Sequence, residues 1–92
     1  MKIETTGNFD NQYLRLIQND QELKPVIRSV LKMFRSNTKD SRLYNHALRK
    51  RLKGKRAIAV TDDIRIIYER IGINTVRLIA IGTHKEVYPR SS

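Results

Sequence analysis

The rhythm of apolar residues changes at Gly54, and that change constrains the fold more than any other feature of the chain. Before it, Phe9, Tyr13, Leu16 and Ile17 recur at helical spacing, and so do Leu23, Ile27, Val30, Leu31 and Phe34. Intervals of this kind put apolar side chains on one face of an α-helix. Asn8 stands where the first helix needs an N-cap, and Pro25 falls in the first turn of the second, where a missing N–H costs least. The polar stretch QNDQE between them is short enough to make the helices an antiparallel hairpin, and RSNTKDS ends the second. After Gly54, AIAVT, IRIIYERI and TVRLIAIG are rich in β-branched residues and are divided by TDD and GIN. That pattern predicts a three-stranded antiparallel meander. Met1 to Thr6 adds a short first strand. The class is α+β, with an N-terminal strand and a helical hairpin packed on an antiparallel sheet.

A chain of 92 residues makes one small domain, residues 1–92, near the lower range where a single core suffices. It has no cysteine, so neither disulfides nor a thiolate metal site are expected. No apolar run approaches the roughly 18 residues of a membrane span, and the N-terminus MKIETTGNFD lacks the apolar core of a secretory signal. A soluble, cytoplasmic protein with no membrane partner is the expectation. No internal repeat, low-complexity segment or linker interrupts the chain.

Charge points to the partner. Nineteen Lys and Arg face nine Asp and Glu, for a formal net charge of +10. In RKRLKGKR, residues 49–56, six of eight side chains are cationic, and no acid occurs from Ser41 to Thr61. A lone basic run is usually a solvated face. High net charge and clustering together favour a polyanion, above all a nucleic acid. In the middle strand, alternation puts Arg65, Ile67 and Glu69 on one face and Ile64, Ile66, Tyr68 and Arg70 on the other. If the helices cover the second face, Arg65 projects from the open one, beside the cationic loop.

Groups able to do chemistry are few. The two histidines, His46 and His84, have no metal-ligand spacing around them, so no metal and no cofactor is expected. There is no glycine-rich phosphate loop and no Gly-x-Ser-x-Gly elbow. An acid–base pair among cations suits cleavage of RNA, which carries its own nucleophile in the 2′-OH. The protein must take that proton, neutralise the phosphate and protonate the departing 5′ oxygen. Histidine suits both transfers because its ordinary pKa, about 6.5, lies near working pH, and arginine and lysine suit the phosphate. Taken singly, each residue has a plainer reading. His46 reads as a surface loop residue, Asp63 as a turn former and Tyr88 as packing against the sheet edge.

From Leu43 to Tyr88 the chain resembles the RelE/ParE superfamily of type II toxins, and most of all the RelE and YafQ branches. NHALRKRLKG, DDIRIIYE and IGTHKEVY carry the resemblance, in that order. It implies an mRNA interferase that enters the ribosomal A site, amid rRNA, and cuts the translated mRNA there without a metal. It also implies a cognate antitoxin with an acidic tail. By position, His46 stands eight residues before Gly54 and Asp63 nine after it, as a histidine and an aspartate do in the YafQ branch. The resemblance gives Arg65 a phosphate-stabilising role and His84 that of general acid, with the aromatic Tyr88 four residues on. His46 is the first choice for general base, with Asp63 orienting or substituting for it, and Tyr88 stacks on a base or positions the phosphate. Lys53 and its neighbours match loop lysines that grip phosphate in RelE, so Arg49, Lys50, Arg51, Lys53, Lys55 and Arg56 are the expected RNA-binding residues. One departure stands out: a further YafQ histidine, five residues after the glycine, is Ala59 here. The alternative reading is a ParE-like toxin that poisons DNA gyrase without cutting RNA. A third is a degenerate relative that only binds RNA or an antitoxin.

Overall fold

Residues 1–88 are described by a computed structural model. Strand β1, Lys2–Thr5, turns at Thr6 into helix α1, Gly7–Asn19. The Thr6 hydroxyl accepts from the Phe9 backbone N–H, so Thr6 and not Asn8 is the N-cap. Helix α2, Leu23–Ser36, follows a short turn and carries Pro25 in its first turn, as the sequence predicts. A 3₁₀ turn at Ser41–Leu43 leads to β2, His46–Ala47, and a second one at Lys50–Leu52 leads to β3, Arg56–Ala59. Strands β4, Ile64–Gly72, and β5, Thr75–Thr83, form the long hairpin. A final helical turn, α3, spans His84–Val87.

The sheet has five strands in the order β1-β5-β4-β3-β2. Its centre is the expected antiparallel meander of β3, β4 and β5. The first strand joins it parallel to β5, with Lys2 opposite Thr75 and Thr5 opposite Leu78, so the whole sheet is mixed. The two-residue β2 pairs antiparallel with β3 and forms the other edge.

Beyond Leu78, β5 outruns β1, and side chains from the start of α1 take over the hydrogen bonding. Asn8 donates to the Ile79 carbonyl at 3.0 Å, and Thr6 Oγ1 does so at 3.1 Å. Gln12 Oε1 accepts from the Ile81 N–H at 2.9 Å. The helix thereby covers a strand edge that would otherwise present bare backbone groups.

One face of the sheet carries the main core. Phe9, Ile27 and Phe34 from the helices bury against Ile58, Ile66, Tyr68, Val76 and Leu78 from the strands. Phe34 meets Tyr68 edge to face with ring centroids 4.9 Å apart, a favoured aromatic geometry. The alternation expected for β4 holds here: Ile64, Ile66 and Tyr68 lie under the helices, and Ile67 belongs to a small cluster on the opposite side. Register shifts at Ile67/Tyr68 and Arg70/Gly72 bend the hairpin beyond that point.

Candidate functional site

Residues directly opposite in an antiparallel ladder share a face, so the register lays out the side away from the helices in rows. One row reads His46, Ala57, Ile67 and Ala80; the next reads Ala59, Arg65 and Gly82. Apart from His46, Ile67 and Arg65, every residue in these rows is alanine or glycine. The space they leave is filled by the chain's own return: Val87 packs with Ala57 and Ile67, and Leu48, Ala80 and Tyr88 rim them.

The return begins with a capping box. Thr83 Oγ1 accepts from the Glu86 N–H at 3.3 Å, and Glu86 Oε1 accepts from the Thr83 N–H at 2.8 Å. The Thr83 backbone N–H, helped by its side chain, holds the Glu86 carboxyl below the ordinary carboxylate range. Gly82 makes this tight reversal possible. A Cβ there would lie 3.1 Å from Glu86 Oε1, 3.3 Å from Glu86 Cβ and 3.4 Å from Val87 Cγ1.

His84 is the first residue of α3, and its backbone N–H donates to the Asp63 carbonyl at 3.0 Å. Its ring meets Tyr88 edge to face, with centroids 4.3 Å apart and planes at 69°. His46 arrives from the far edge of the sheet. Its Nδ1 lies 2.8 Å from the Tyr44 carbonyl. A carbonyl only accepts, so Nδ1 carries the proton and Nε2 of the neutral ring keeps its lone pair. Together His46, Arg49, His84 and Tyr88 line one cleft of about 420 Å³, with Ala47 and Leu48 in its wall.

Arg65 is half-buried one row away, opposite Gly82, and its guanidinium donates to the carbonyls of Thr61 and Ile64. It stands close enough to Tyr88 for its charge to pull the phenol pKa down, against the larger effect of burial, which pushes it up. The Tyr88 hydroxyl is buried without a hydrogen-bond partner among the described residues. Asp63 is placed differently from the sequence expectation. Its carbonyl secures His84, while its exposed carboxylate makes no hydrogen bond or ion pair among the described residues.

The expected RNA-binding cations divide. Arg49 lines the cleft, and Lys50, Arg51, Lys53 and Lys55 sit in the loop joining β2 to β3, where Gly54 adopts φ 90°. Arg56 turns to the helix side, its Nε donating to Asn45 Oδ1 at 2.8 Å. Two features of the site escaped the sequence reading. THKE, residues 83–86, carries the Thr-x-x-Glu signature of a capping box. Tyr44, whose carbonyl orients His46, has no sequence signal at all. No group of three or more His, Cys, Asp or Glu placed to share a metal occurs among the described residues.

A family model described as the bacterial toxin of type II toxin-antitoxin system, YafQ, matches residues 1–89. The chain belongs to the YafQ family of type II toxins. YafQ from E. coli strain BL21(DE3) superposes with a TM-score of 0.79 at 22% identity, over 96% of this chain and 98% of that one. YafQ in the E. coli DinJ-YafQ complex gives 0.76 at 23%, over 96% and 98%. A metal-bound toxin from Helicobacter pylori gives 0.77 at 26%, over 96% and 99%. No individual curated protein matches the chain. Ala59, where the resemblance leads one to expect a histidine, lies directly opposite Arg65 on the open face.

Proposed function

We propose that this toxin is an endoribonuclease that cuts mRNA in the ribosomal A site by attack of the 2′-OH on the adjacent phosphate. The observation that carries the reading is the cleft itself. Two histidines, one from the edge strand β2 and one from the turn that follows β5, line the same cavity beside an arginine and a tyrosine. His46 Nε2 takes the 2′-OH proton, and its Nδ1–H stays fixed on the Tyr44 carbonyl throughout. As the 2′ oxygen bonds to phosphorus, Arg49 and Arg65 meet the charge that builds on the equatorial oxygens. His84 gives its proton to the 5′ oxygen as the P–O5′ bond breaks. The products are a 2′,3′-cyclic phosphate and a 5′-OH, with both proton transfers made by side chains and no metal required. Asp63 serves by fixing the His84 backbone, which leaves His46 as the base. Tyr88, its ring edge to face on His84 in the cleft wall, positions the phosphate beside that histidine.

The E. coli relative is held by DinJ, and an acidic antitoxin encoded for this chain is the corresponding partner, suited to a net charge of +10. Work on the ribosome places the protein in the cytoplasm. No described helix is long and apolar enough to cross a membrane. A gyrase poison of the ParE kind needs no paired histidines, so the shared cleft favours the ribonuclease. The test is a ribosome-bound message with a single 2′-deoxy nucleotide just 5′ of the scissile phosphate. It should resist cutting there, while efficient cleavage would rule the mechanism out.

A further inference from the structure

Around the β2 edge from the cleft lies a second pocket of about 430 Å³, bordered by Lys39, Asp40, Tyr44, Asn45, Arg56 and Arg70. Its floor is tightly built. The Asn45 amide donates to the Thr38 carbonyl and to the Tyr68 hydroxyl, both at 2.8 Å, and its oxygen accepts from Arg56 Nε at 2.8 Å. The one acid is already matched: Asp40 holds Arg42 in an ion pair of 2.8 Å. Lys39, Arg56 and Arg70 have no ion-pair partner among the described residues, so the pocket is a net attractor of anions.

Tyr44 adds an aromatic surface. It is 73% exposed, and its backbone sits in the left-handed region at φ 49°, uncommon for a bulky residue. Its carbonyl orients His46, but any residue supplies a carbonyl, so the ring requires another explanation. An open aromatic ring beside cations, here with Arg56 held by Asn45, is how proteins hold single-stranded nucleic acid, with a base on the ring and phosphate on the charges. Position ties the pocket to the cleft. His46 faces the open side of β2, and its neighbour Asn45 faces the helix side, so only this edge strand separates the two cavities.

We infer that this pocket is a nucleotide subsite for the RNA strand, stacking a base that flanks the scissile phosphate on Tyr44 and holding its phosphate with Lys39, Arg56 and Arg70. The inference rests on the ribonuclease reading in one respect, that the strand held here is the strand presented to the cleft. A labelled hexaribonucleotide, 2′-O-methylated throughout so that it cannot be cut, tests it by fluorescence anisotropy at low salt. Tyr44→Ala should weaken binding by about ten-fold, the usual scale for losing one stacked base, whereas Tyr44→Phe keeps the ring and should bind like the native chain. Arg70→Ala should reduce the slope of log affinity against log salt by about 0.7. No measurable binding by the native chain would overturn the subsite. So would unchanged affinity in Tyr44→Ala, or a loss that falls on antitoxin binding alone. Affinity is read without cleavage, which keeps the two claims separable. A chain that binds the hexamer through Tyr44 but cuts no message refutes the nuclease and keeps the subsite. A nuclease indifferent to Tyr44→Ala does the reverse.

Discussion

His46 and His84 are held in different ways, and the difference matches the proton that the proposed mechanism assigns to each. His46 is fixed by its ring, which leaves one defined nitrogen free, and His84 is fixed by its backbone, with its ring against Tyr88. Replacing His84 with Gln should slow single-turnover cleavage of ribosome-bound mRNA by roughly 10²-fold or more, while ribosome binding stays largely intact. An unchanged rate would remove His84 from the mechanism. Tyr88 offers a second test. An unpartnered buried hydroxyl costs roughly 1–3 kcal/mol, so Tyr88→Phe, which keeps the ring, should melt no lower than the native chain, and slightly higher if anything, while cleaving at a similar rate. A lower melting temperature, or a large loss of cleavage, would contradict a hydroxyl that is unpartnered and out of reach of the substrate. The residue types at positions 46, 65, 84 and 88 were legible from the motifs around them. The tautomer of His46 was not, because it is set by the carbonyl of Tyr44, whose left-handed backbone leaves no trace in composition.

At the scale of elements, the site depends on α3, four residues with little stability of their own. Thr83→Ala removes the N-cap oxygen and should cost about 1 kcal/mol. It should also slow cleavage, since His84 is the first residue the cap positions; native rates at the lower melting temperature would uncouple α3 from catalysis. The cap also predicts an acid dependence. The Glu86 carboxyl is held below its ordinary value of 4.5, chiefly by the Thr83 N–H. Its contribution is therefore complete above that ordinary value and is lost as pH falls through the lower folded one. Thermal melts across this window should fall less steeply for Glu86→Gln than for the native chain. Strands β3, β4 and β5 and both long helices were readable because several periods of pattern specify them. The two residues of β2 and the four of α3 are too short to show a period, and the parallel seating of β1 depends on a partner more than seventy positions away. The placements of β2 and α3 bring His46 to His84, so the cleft could be expected from resemblance but not built from the pattern.

For the whole molecule, charge dominates. A net charge of +10 on 92 residues repels itself and draws the chain to polyanions. Binding to RNA should weaken linearly in log salt, by about 0.7 per phosphate neutralised. Neutralising Lys50, Arg51 and Lys53 together should flatten that slope without altering the fold, since all three are exposed. A slope unchanged in the triple variant would place the phosphate contacts elsewhere. Arg56 shows the limit of reading charge from sequence: it belongs to the basic run, yet the pairing of β3 with β4 sends its side chain to the opposite face. Charge alone does not separate a ribosomal partner from gyrase-bound DNA. Induction of the toxin in cells, followed by primer extension along an abundant message, measures that distinction directly. New 5′ ends at codon-spaced positions, lost in His84→Gln, are the predicted result. Intact messages together with accumulated DNA breaks would contradict it.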